Sequence, residues 1–137
     1  MALTTEQAMQ QGVASHREGN LQEAERLYRA ILQTQPGHPD ANHNLGLIAL
    51  AANAAEAALP LFKTALEINP AVEQFWLSYI AVLIRLGLLE PAKGVLERAQ
   101  DLGFKIEKLE PLNRKLASTT NKAPVSEVAA AEVYRTL

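Results

Sequence analysis

The sequence predicts an all-α solenoid of stacked helical hairpins, and three observations carry that reading. The chain matches itself when slid by 34 residues, its apolar residues recur at helical three-and-four spacing, and prolines close successive segments. A period of this length marks a repeat architecture, in which each unit buries its apolar face only against a neighbour. The stretch FKTALEINP, Phe62 to Pro70, echoes YRAILQTQP, Tyr28 to Pro36, and the two prolines stand 34 residues apart.

The same slide sets Gly12 on Gly46, Ala24 on Ala58 and Leu32 on Leu66. A second slide sets Ala58 on Ala92, Ala65 on Ala99 and Asn42 on Trp76. Gly19, Asn53 and Gly87 also coincide, and these residue types take the left-handed backbone of a tight turn. The repeats therefore run at about 5–38, 39–72 and 73–106.

Within the first repeat, Thr4 to Gln7 and Asn20 to Glu23 both carry the capping-box spacing that opens a helix. In the second, Leu45, Ile48 and Ala49, then Leu59, Phe62, Ala65 and Leu66, form the stripes of two amphipathic helices. Pro36, Pro39 and Pro70 separate each helix pair from the next, because proline lacks the amide that a continuing helix needs. Pro60 lies past the first turn of its helix and predicts a local bend, whereas Pro91 lies in a first turn and is harmless. Gly46 and Ala58 fall where the helices of one hairpin cross, so a larger group there would overpack by about 1–3 kcal/mol. Ile80 breaks that rule in the third repeat and predicts a wider crossing, with Gly94 on the facing helix making room. Beyond the repeats, Ile106, Leu109, Leu112 and Leu116 keep helical spacing, which places a capping helix at about 105–117. Ser118 to Pro124 reads as a linker, and Val125 to Leu137 is rich in helix formers.

The bulk numbers narrow the function. A chain of 137 residues with 48% hydrophobic and 20% charged residues supports one packed domain. Thirteen cationic against fifteen acidic side chains give a net charge of −2, which argues against nucleic acid or an anionic membrane as partner. Without cysteine there is no disulfide, thiolate metal site or thiol nucleophile. The N-terminal stretch has no signal-peptide pattern and no apolar run reaches about 18 residues, so a soluble, cytoplasmic protein is expected. No nucleophile constellation or phosphate-cradling loop is visible, so no catalytic residue and no cofactor is assigned. His16, His38 and His43 lack paired ligand spacing and read as exposed polar residues rather than a metal site.

With small residues at the eighth and twentieth positions, an aromatic at the twenty-fourth, alanine at the twenty-seventh and proline at the thirty-second, the repeats resemble the tetratricopeptide repeat. Repeat two conforms at Leu45, Gly46, Ala58, Phe62, Ala65 and Pro70. Repeat three adds Trp76, Gly87, Ala92 and Ala99, while repeat one departs from the pattern at Ala8 and Ile31. The resemblance covers roughly residues 5–106 and implies a right-handed α-α superhelix of three helix-turn-helix repeats plus a C-terminal capping helix.

It also implies a concave groove lined by the first helix of each repeat. The positions that line it are Glu6, Met9, Val13, His16 and Arg17, then Asp40, His43, Leu47, Leu50 and Ala51, then Gln74, Leu77, Ala81, Ile84 and Arg85. Val13, Leu47 and Ala81 form an apolar row, and such a row rimmed by charge marks an interaction surface. Family members that clamp a C-terminal carboxylate place charged and amide side chains where this chain has Met9, Val13, Asn44, Gln74 and Ser78. Only Asn44 matches, so that clamp is rejected. Asn44 is left with two roles, holding a ligand backbone or bridging neighbouring helices. Arg17 and Arg85 suit acidic ligand groups at either end of the groove.

The leading expectation is a scaffold that binds a peptide segment or helix of a partner protein. A second is the substrate-recruiting N-terminal region of a larger bacterial transferase of the glycosyltransferase or sulfotransferase type, which the repeats resemble. A third is self-association, with residues 125–137 docked in the chain's own or a neighbour's groove.

Overall fold

Among the described residues, six helices follow one another at a spacing that repeats the sequence period. The computed structural model describes residues 3–105 together with Pro111, Arg114, Lys115, Ala117 and Ser118. Most of the expected capping helix at about 105–117, and nearly all of the segment 118–137, lie outside the described residues. The chain divides into two compact units, Met1–Pro70 and Ala71–Leu137.

The first unit holds α1 (Thr5–Arg17), α2 (Leu21–Thr34), α3 (Pro39–Ala51) and α4 (Ala55–Ile68). Helix α1 packs on α2 and α3 on α4, while α2 and α3 join the two hairpins. The second unit holds the hairpin of α5 (Glu73–Arg85) and α6 (Leu89–Asp101). Among the described residues there is no strand, and no helix is long and apolar enough to cross a membrane.

Helix ends have local causes. Thr4 and Gln7 form the full capping box on α1, each accepting from the other's backbone N–H, at 3.1 and 2.9 Å. The second expected box is only half made. Asn20 Oδ1 accepts from the Glu23 N–H at 3.4 Å, but the Glu23 carboxylate turns to Arg26 at 2.6 Å instead of reaching back. A charged guanidinium one turn along outcompetes a neutral amide for that carboxylate. Each helix carries an acidic residue in its first turn (Glu6, Glu23, Asp40, Glu56, Glu73 and Glu90), which complements the positive end of the helix dipole.

The turn inside each hairpin is the same three times. Gly19, Asn53 and Gly87 sit at φ of 83°, 61° and 77°. Their N–H groups bond to His16, Leu50 and Ile84, and the following N–H groups reach back to Ser15, Ala49 and Leu83. This closure satisfies carbonyls the helix leaves free and requires a left-handed residue at the turn. Helix α4 continues through Pro60 as one element, and Pro91 sits in the first turn of α6.

The core explains the small residues differently from a bare crossing of helices. In the first two hairpins the glycine is the floor beneath an aromatic ring. A Cβ on Gly12 would lie 2.7 Å from Cε1 of Tyr28, and one on Gly46 would lie 2.5 Å from Cε1 of Phe62. Both rings are fully buried, and burying such a side chain stabilises by about 1.5–3 kcal/mol. Tyr28 continues into a cluster with Ala24, Leu45 and Ile48, which ties the second repeat to the first. In the second unit, α5 is apolar around most of its circumference, and Trp76 stacks at a tilt on Phe104 with ring centroids 6.0 Å apart.

Candidate functional site

Helices α1 and α3 bury one face and leave the other partly open. Ala8 and Gly12 on α1, and Leu45, Gly46 and Ile48 on α3, are buried. Met9, Val13, Leu47 and Leu50 are only half-buried. On α5, Leu77 and Ala81 are half-buried and Arg85 is exposed, whereas Ile84 is buried at 4% exposure and offers no surface to a ligand.

Two hollows lie along α1 in the first unit. One, of about 250 Å³, is lined by Val13, His16, Arg17, Tyr28 and Asn44, so it draws on α1, α2 and α3 together. The other, of about 340 Å³, is lined by Met9, Gln10, Val13, Ala14 and Arg17. Val13 and Arg17 belong to both. The first is lined by four polar side chains and Val13, with apolar surface among them, and the second is mostly apolar.

Asn44 is the hinge of the polar hollow. Its Nδ2 donates to the Tyr28 hydroxyl at 3.5 Å, so it bridges the two repeats, and its side chain also hydrogen-bonds His43. Since the Tyr28 oxygen accepts from Asn44, the phenolic proton is free to donate elsewhere. Burial pushes the Tyr28 phenol up, opposed by the Asn44 bond, so the hydroxyl stays protonated. His16 approaches the Tyr28 ring edge-on, with centroids 6.2 Å apart.

The histidines are structural members, not the exposed residues that the sequence suggests. His38 Nδ1 accepts from the Ala41 N–H at 3.1 Å and so caps α3, which needs the lone pair on that nitrogen. His43 is buried at 6% exposure, with its ring 5.3 Å from Phe62. Burial lowers its pKa below the ordinary value, against the Asn44 bond and the Asp40 charge, which both favour the cation. Its neighbour Asn42 is buried too, and its Nδ2 donates to the carbonyls of Pro36 and His38 at 2.9 Å each. Asn42 occupies the register position of Trp76, yet it fastens the turn between repeats instead of filling a core. Among the described residues no three His, Asp or Glu side chains gather as metal ligands.

Of the residues singled out from sequence, the structure brings Val13, His16, Arg17 and Asn44 to one hollow. Tyr28 joins them unannounced. Its signal was a phenol at the position where the second repeat has Phe62, since a hydroxyl on a buried ring implies a polar partner.

Three hairpins closed by left-handed turns, two of them with a glycine seated beneath a buried aromatic ring, define an all-α protein of the tetratricopeptide-repeat fold. Residues 49–105 match the family model described as a tetratricopeptide repeat. The solved structure of the MamA RS-1 ArsTM double mutant is similar to the chain, with a TM-score of 0.73 at 21% identity, covering 96% of this chain and 72% of that one. No curated protein matches.

Proposed function

We propose that this chain is a protein-interaction module that binds a peptide segment or helix of a partner protein along the partly open faces of α1 and α3. One observation carries the reading. Met9, Val13, Leu47 and Leu50 remain half-exposed on helices whose other faces are packed, and Met9 and Val13 border open hollows. Apolar side chains held at a rim in this way favour a ligand that covers them. Covering several hundred Å² at about 25 cal/mol per Å² contributes several kcal/mol, and association entropy offsets much of it, so affinity near the micromolar range is expected. The chain acts by binding alone, without chemistry of its own.

The test is a peptide-display selection on the intact protein, followed by affinity measurement on Leu47→Asp. The selected peptides should lose at least about tenfold in affinity, about 1.4 kcal/mol, while circular dichroism stays unchanged. Undiminished affinity in a folded Leu47→Asp protein would place the binding surface elsewhere.

A further inference from the structure

We infer that the polar hollow beside Tyr28 is a subsite for an acidic side chain of the ligand, a glutamate or aspartate followed or preceded by an apolar residue; this rests on the peptide-binding reading above. Three kinds of group converge there. Arg17, in the last turn of α1, is exposed and makes no ion pair or hydrogen bond among the described residues. A guanidinium with available donors is suited to bidentate carboxylate binding. Tyr28 is fully buried and does not touch the ligand itself; its hydroxyl accepts from Asn44 and holds that amide at the floor of the hollow. Asn44 and His16 complete a lining that contains no carboxylate, so no internal anion competes for the site. The volume of about 250 Å³ exceeds several times the roughly 30 Å³ share of one water, which leaves room for a side chain with solvent.

The adjoining hollow chooses between a side chain and a chain terminus. Arg17 and Val13 line both hollows, and the second is walled by Met9, Val13 and Ala14. A ligand that fills the apolar hollow and the polar one with neighbouring residues runs on past Arg17, so the carboxylate belongs to an internal side chain. The residues one turn back along α1, Val13 and Ala14, carry no acid that could take up the Arg17 donors.

The experiment uses two immobilised peptide pools, identical except that a fixed residue next to a central leucine is glutamate in one and glutamine in the other. All peptides are amidated at the C-terminus, and a parallel glutamine pool carries a free one. The intact protein should retain the glutamate pool at least about tenfold better. Arg17→Met should erase that preference, so that the glutamate and glutamine pools are retained equally, and Tyr28→Phe, which releases Asn44, should reduce it several-fold. Raising the salt concentration should narrow the gap, because Arg17 is exposed. Equal retention of both amidated pools, still lost in Leu47→Asp, would overturn the acidic subsite and keep the groove. A preference for the free-terminus glutamine pool would also overturn it, by moving the anion to the chain end. Failure to retain any pool would overturn the groove reading and the subsite with it.

Discussion

The first two hairpins and the third solve one packing problem in opposite ways. In α1–α2 and α3–α4, glycine faces an aromatic ring: Gly12 with Tyr28, and Gly46 with Phe62. The corresponding register positions in α5–α6 hold Ile80 and Leu96, both buried. Bulk has moved from the second helix to the first. A repeat therefore conserves the volume between its helices, not the residue at any one position, because interiors are packed to near-crystalline density.

The largest expected effect breaks the aromatic solution outright. Phe62→Ala should destabilise by about 3–5 kcal/mol in chemical denaturation, because a fully buried ring seated on bare backbone leaves a cavity that Gly46 cannot fill. Leu96→Ala should fall toward the lower end of about 2–5 kcal/mol. Equal losses would mean that the two kinds of hairpin bury their second helix equally well.

A sharper test transplants the third solution into the second repeat. Gly46→Ile alone should cost about 1–3 kcal/mol or more, since its Cβ meets the Phe62 ring. Adding Phe62→Leu should recover some of that loss, with a coupling of about 0.5–3 kcal/mol in a double-mutant cycle. Strict additivity would show that the exchange of bulk is incidental.

Caps distinguish the helices on a smaller scale. Side chains of Thr4, Asn20 and His38 cap α1, α2 and α3, whereas α4, α5 and α6 begin at Ala54, Val72 and Leu88 without a side-chain cap bond. His38→Ala should lower stability by about 1 kcal/mol, read as a shift of the unfolding midpoint. An unchanged midpoint would show that Pro39 and Asn42 already hold the start of α3.

The finest effect is a pH dependence confined to the first unit. The native His43 holds its pKa below the unfolded value near 6.5, so in that window the unfolded chain binds more protons. Stability should be full above about pH 6.5 and should decline as pH falls, until the native imidazole itself protonates. His43→Leu should flatten that region of the melting-temperature profile, and an unaltered slope would assign the titration to other groups.

Much of this molecule was legible in its sequence. The 34-residue period, the helical spacing and the turn residues Gly19, Asn53 and Gly87 are all local properties. Each follows from what one residue's backbone or one helical stripe can do, so no knowledge of neighbours is needed. The tertiary structure alone decided the fate of the polar run Asn42, His43 and Asn44. Three adjacent polar residues on a helix look solvated, yet Asn42 is buried to bind two carbonyls, His43 lies on Phe62, and Asn44 reaches Tyr28 sixteen residues away. Their places depend on partners brought near by packing between helices, and a buried polar group is tolerated only where such a partner exists. The glycines were legible as small, but the aromatic ring resting on each was visible only once the hairpin had closed.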